Sequence, residues 1–132
     1  NAARFERRIG KPAPEWVGGQ IARADRALRN RQWAQAEEAY LDIIKQLGPT
    51  NAMVLNNLAF AQGELRKPTE ALASALVAVE LAPSNASILD TAGSLLIANG
   101  QRERGIKLLR KAANIAPENA VIKRHLAEAG AT

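Results

Sequence analysis

His125 is the single histidine of the chain, and there is no cysteine. A thiolate nucleophile, a thiolate metal site and an internal disulfide are therefore excluded. No second ligand stands at metal spacing from His125, which reads as an exposed or packed helix residue. Glu37, Glu38 and Asp42 share one stretch with the pattern of a solvated face, as does the run RER at 102–104. Neither G-x-S-x-G nor a Gly-rich phosphate loop occurs. The chain is read as non-enzymatic, with no catalytic residue, no metal ligand and no cofactor. What remains with chemistry to offer is an amide pair, Asn56 and Asn57 in LNNLAF. Two adjacent asparagines inside a helix cost roughly 0.5–1 kcal/mol together, because their amides compete for nearby backbone. An amide is donor and acceptor at once and can bond an extended backbone. The alternative is that one Asn bonds a neighbouring helix and the other faces water.

The formal charge of +5 is unevenly placed. Residues 1–31 hold eight Lys or Arg against three acids, and residues 32–132 hold ten of each. Arg23, Arg26 and Arg29 lie along one side of GQIARADRALRN, away from Ile21, Ala24 and Leu28. With Arg4, Arg7 and Arg8 they form either a solvated face or a surface for an acidic partner, an anionic polysaccharide or nucleic acid. No aromatics are interleaved to stack bases, which argues against nucleic acid.

The elements that position these residues come from periodicity. Of the 132 residues, 47% are apolar, rich in Ala and Leu and without alternating β-branched runs. An all-α fold follows. No segment approaches eighteen consecutive apolar residues, so no membrane span is expected. LGPTNAMVL, LAPSNASIL and IAPENAVIK recur with their prolines at 49, 83 and 117. Between them run apolar-periodic pairs, MVLNNLAFAQGEL then EALASALVAVELA, and ILDTAGSLLIANG then ERGIKLLRKAANIA. Each unit is a helical hairpin. Pro68 and Gly100 punctuate its middle, a proline ends it, and Ser84 or Asn85 caps the next. Ala59 and Gly93, Ala71 and Gly105, and Ala78 and Ala112 are small where two helices must cross closely.

This pattern resembles the tetratricopeptide repeat. Leu55, Leu58, Ala59, Ala71 and Pro83 match its signature in one unit, and Leu89, Gly93, Ala112 and Pro117 in the next, where Ala92 and Gly105 depart from it. The resemblance divides the chain into the end of a preceding repeat helix with a Pro-rich turn (1–16), repeats at 17–51, 52–85 and 86–119, and a C-terminal capping helix (120–132). The first repeat carries one extra residue, which the LG before Pro49 is expected to absorb as a looser turn. The wording LNNLA, ILDTAGSLLIANGQ and IKRHLAEAG resembles C-terminal repeats of larger bacterial proteins associated with exopolysaccharide or exosortase systems. The start at Asn1, already in a helical pattern, fits a piece of a longer protein, in which an upstream catalytic domain remains open.

The resemblance implies a right-handed superhelix of antiparallel hairpins whose first helices line a concave groove. The groove positions are then Met53, Asn56, Asn57, Phe60, Gly63 and Glu64, followed by Ser87, Asp90, Thr91, Ser94, Ile97 and Ala98. Asn56, Asn57, Asp90 and Thr91 would grip a peptide backbone, while Met53 and Phe60 supply apolar contact. Asp90 and Ser94 stand where a carboxylate clamp would need basic groups, so that clamp is absent. The implied function is a scaffold binding a segment or helix of a partner protein. The competing class is self-assembly into homo-oligomers through terminal residues such as Phe5, Ile9, Val121 and Leu126. Cytoplasm and bacterial periplasm or envelope suit a cysteine-free chain equally.

Overall fold

The computed structural model describes residues 15–130. Among these the chain forms seven helices and no strand: α1 (Trp16–Arg29), α2 (Trp33–Leu47), α3 (Ala52–Glu64), α4 (Pro68–Leu81), α5 (Ala86–Ala98), α6 (Arg102–Ile115) and α7 (Ala120–Glu128). The helix expected ahead of Pro14, with Arg4, Phe5, Arg7, Arg8 and Ile9, lies outside the described residues.

Local chemistry sets the ends of these helices. The asparagine of each recurring P-x-N is an N-cap: the Oδ1 atoms of Asn51, Asn85 and Asn119 accept the backbone N–H of Val54, Ile88 and Ile122 at 3.0, 3.1 and 3.0 Å. Each satisfies one of the donors that a helix start leaves open. The even-numbered helices start differently. Pro68 occupies the first turn of α4, where its missing N–H costs nothing.

The turn inside each hairpin follows one plan. Arg31 and Arg66 have φ of 58° and 60°, and Gly100 has 84°. At each, two bonds fold the chain back over the helix end: Arg31 N–H to Leu28 O and Gln32 N–H to Ala27 O, Arg66 to Gly63 and Lys67 to Gln62, Gly100 to Ile97 and Gln101 to Leu96. This paired pattern requires a left-handed residue, which glycine adopts freely and arginine does not.

The extra residue of the first repeat is taken up by a helix and not by the turn, which keeps its usual length but lacks the bond that closes the other two. α2 has 15 residues where α4 and α6 have 14. From the residue after each helix to the next N-cap the chain takes the same number of steps. The turn differs in conformation, with Gly48 at φ 80° against −142° and −127° for Ala82 and Ala116, and in bonding: Asn85 and Asn119 N–H donate to Ala82 and Ala116 O at 3.3 and 3.0 Å, whereas Thr50 N–H donates to Gly48 O at 2.9 Å.

Consecutive helices pack as antiparallel hairpins, and α1, α3, α5 and α7 also touch in succession. The core is accordingly a chain of small clusters. One joins Ala24, Ala36, Tyr40, Ile43, Val54, Leu58 and Ala61. Others join Leu55, Ala78 and Ile88, then Ala59, Ala75 and Ala92, then Leu89, Ala112 and Ile122. The small residues sit at the crossings. A Cβ on Gly93 would lie 2.8 Å from the carbonyl oxygen of Gly105, and one on Gly105 would lie 2.5 Å from that of Gly93 and 2.6 Å from Ile97 Cγ1. Backbone meets backbone there.

Two substitutions test these constraints in opposite directions. Arg66→Gly is expected to stabilise the protein by about 0.5–1 kcal/mol, because it relieves a left-handed arginine at an exposed site. Gly105→Ala is expected to destabilise it by about 1–2 kcal/mol, overpacking outweighing the gain in helix propensity. Urea unfolding measures both, and a stabilised Gly105→Ala would contradict the close crossing.

Candidate functional site

α1, α3, α5 and α7 touch in succession and form the inner row of the stack, across which Asn57 bonds Asp25 and His125 bonds Asp90. Between α3, α5 and α7 lies a pocket of about 300 Å³ lined by Ala59, Phe60, Gly63, Glu64, Asp90, Thr91, Ser94, Leu95 and His125. Of the residues expected in a groove, Phe60, Gly63, Glu64, Asp90, Thr91 and Ser94 are thus brought together, whereas Ile97 and Ala98 lie outside this lining. Met53 and Ser87 are exposed near the starts of α3 and α5 and do not line the pocket. Phe60 keeps 48% of its surface exposed, and its ring lies 5.7 Å from that of Trp33, centre to centre, tilted by 58°. The ring is thus half-exposed and packed against a second aromatic.

His125, expected as an exposed or packed helix residue and not among the groove positions, stands in the pocket wall. Its Nδ1 lies 2.7 Å from Asp90 Oδ1, with the two side chains only 28% and 14% exposed. The pair ties α7 to α5 at the pocket wall. Its signal was the separation of 35 residues, close to one repeat, which puts both on neighbouring first helices at one level.

Asn56 and Asn57 are placed differently from each other. Asn57 is half-buried, and its Nδ2 donates to Asp25 Oδ1 at 3.3 Å. Asn56 is only 7% exposed, so it presents little to a groove, and its Nδ2 donates to Asn57 Oδ1 at 3.4 Å. Its own Oδ1 is buried with no hydrogen-bond partner among the described residues. Asp25 Oδ1 also accepts a hydrogen bond from the hydroxyl of the fully buried Tyr40. One carboxylate therefore gathers α1, α2 and α3. Burial, and then the hydrogen bond and negative charge of Asp25, push the Tyr40 phenol far above its ordinary range, while Asn57 and the charge of Arg29 act the other way.

The described arginines of the basic face, Arg23, Arg26 and Arg29, are not part of the pocket lining. Arg23, Arg26 and Arg29 are all exposed on α1. Arg23 and Arg26 border a cleft against α2 with Gln32 and Gln35, whereas Arg29 is not part of that lining. Arg23 also shares a second cleft with Glu38, Asp42 and Lys45, so its charge is set among both signs. Among the described residues no three His, Asp or Glu gather as a metal site would need, and no helix is long and apolar enough to cross a membrane.

No family model and no curated protein matches the sequence. Solved structures do. The first tetratricopeptide domain of Spaghetti (RPAP3), bound to the HSP90 peptide SRMEEVD, superposes with a TM-score of 0.81 at 18% identity, covering 89% of this chain and 93% of that one. The tetratricopeptide domain of Arabidopsis OM64 gives 0.79 at 22%, covering 87% and 94%. A Thermobaculum terrenum O-GlcNAc transferase gives 0.80 at 29% over 86% of this chain, which spans 22% of that enzyme. The chain has the tetratricopeptide-repeat fold.

Tyr40 allows a test by pH. Its phenol titrates near 10 in an unfolded chain and higher in the folded protein, so its contribution to stability is whole below about pH 10 and is lost as pH rises further. Urea unfolding from pH 9 to 11 is expected to show a decline in the wild type that Tyr40→Phe lacks. At neutral pH Tyr40→Phe should cost about 1–3 kcal/mol, since Asp25 loses a buried donor. Parallel pH profiles would contradict the Tyr40–Asp25 bond.

Proposed function

We propose that the chain is a non-catalytic interaction module that binds a segment or helix of a partner protein along the inner face of α3, α5 and α7. The observation that carries this reading is the pocket between those helices, which joins a half-exposed aromatic ring to partly buried hydrogen-bonding groups. That combination orients a ligand as well as holding it. Phe60 and Met53 offer apolar contact, and Asn57, Asp90, Thr91, Ser94 and Ser87 offer bonds to a backbone or to polar side chains. Glu64 borders the same face, and Asn56, buried behind it, holds Asn57 in orientation. The Spaghetti domain with its bound HSP90 peptide is a precedent for this use of the fold.

A second reading is self-assembly through the terminal helix, favoured by Val121 of α7, which remains 44% exposed. A surface for acidic ligands at Arg23, Arg26 and Arg29 is a third reading, supported by their shared exposure along α1. A setting in a larger bacterial protein of an exopolysaccharide or exosortase system rests on the wording of LNNLA, ILDTAGSLLIANGQ and IKRHLAEAG.

Capture of partners from a lysate of the source organism separates these readings. A Phe60→Ala, Ser94→Arg double variant, checked by circular dichroism to be folded, is expected to retain at least about tenfold less of the partner than the wild type, as for loss of a central anchor. Equal capture by both proteins, or recovery of the chain's own copies alone, would contradict the groove reading.

A further inference from the structure

The pocket is chemically lopsided. Among the described residues its lining holds the acids Glu64 and Asp90 beside His125 and neither Lys nor Arg, although the chain as a whole carries +5. The positive excess sits in residues 1–31, and the pocket is built from residues 59–125. Its hydrogen-bonding groups are acceptor-rich as well. Asp90 is held by His125 through Oδ1, which leaves the acceptor positions of Oδ2. The side chain of Asp90 is 14% exposed, so its charge is less screened than that of a surface carboxylate. Beside these acids, Phe60 and Leu95 provide apolar walls.

A long cationic side chain matches each of these features. Its methylenes pack on apolar surface while its head reaches polar groups, and a half-exposed aromatic ring such as Phe60 offers a cation–π partner. Resting on the groove reading above, we propose that the pocket receives an arginine or lysine of the bound segment. The stem lies against Phe60 and Leu95, and the head lies between Glu64 and Asp90. The preferred partner is therefore a basic segment. An acidic one such as the SRMEEVD peptide of the Spaghetti complex would set its carboxylates against those of the pocket. Net charge alone points the other way, since a chain of +5 attracts acidic peptides non-specifically.

The test uses the whole chain, immobilised at pH 8 and low salt, and a pool of random heptapeptides acetylated and amidated so that their ends carry no charge. Retained peptides are sequenced for the wild type and for Glu64→Gln, Asp90→Asn, Phe60→Ala and Glu103→Gln, the last a control on α6 outside the pocket. The wild type and Glu103→Gln are expected to enrich Arg or Lys at one position, and Glu64→Gln and Asp90→Asn to lower that enrichment about fivefold each, the scale of a partly exposed ion pair. Retained peptides without a basic position, or basic enrichment undiminished in both acid variants, would overturn the cationic pocket and leave the groove reading standing. No retention by the wild type, or an identical retained set with Phe60→Ala, would overturn the groove reading and this inference together.

Discussion

The close approach of two helix backbones within each hairpin is the constraint on which the rest of the structure depends. Where Gly93 and Gly105 face each other, no side chain separates α5 from α6. In the other hairpins Ala24 and Ala36, and Ala59 and Ala71, are small at the same positions and fully buried. A short interaxial distance makes each hairpin thin, and thin hairpins in register bring alternate helices into contact. The inner row of first helices follows from that spacing.

Polar ties then hold the layers in register. Asp25 links Tyr40 and Asn57 across three helices, Asp90 links α5 to His125 of α7, and Ser74 Oγ donates to the buried Gln62 Oε1 at 2.7 Å between α4 and α3. Such buried networks add little net stability but penalise a slipped register, because each group would lose its partner. The Lys67–Glu37 pair at 2.8 Å, with Lys67 42% exposed, contributes less.

Much of this was legible in the sequence. Prolines at a fixed interval, small residues at fixed places and apolar residues at helical spacing all report backbone geometry that only certain side chains allow, so hairpins and crossings could be read directly. The left-handed turns at Arg31 and Arg66 could not, since arginine carries no preference for that conformation and only Gly100 announced it. Nor could the placement of the extra residue, because a helix of 15 residues and a looser turn satisfy the same count. The site was legible in position more than in role. Phe60, Glu64, Asp90, Thr91 and Ser94 converge because they stand on the same side of two neighbouring first helices, but the burial of Asn56 and the tie from His125 to Asp90 depend on neighbouring repeats. A lone histidine gives no sign of a partner one repeat away until the helices are stacked.

The central claim is that the inner face of the first helices is where a partner binds. Backbone amide chemical shifts recorded while a retained heptapeptide is added to the labelled protein test it most directly. The expected result is a set of concentration-dependent shifts centred on Gly63, Thr91, Ser94 and His125. Shifts centred instead on the outer helices, around Ala73 and Lys107, or on Arg23 and Arg26, would contradict it.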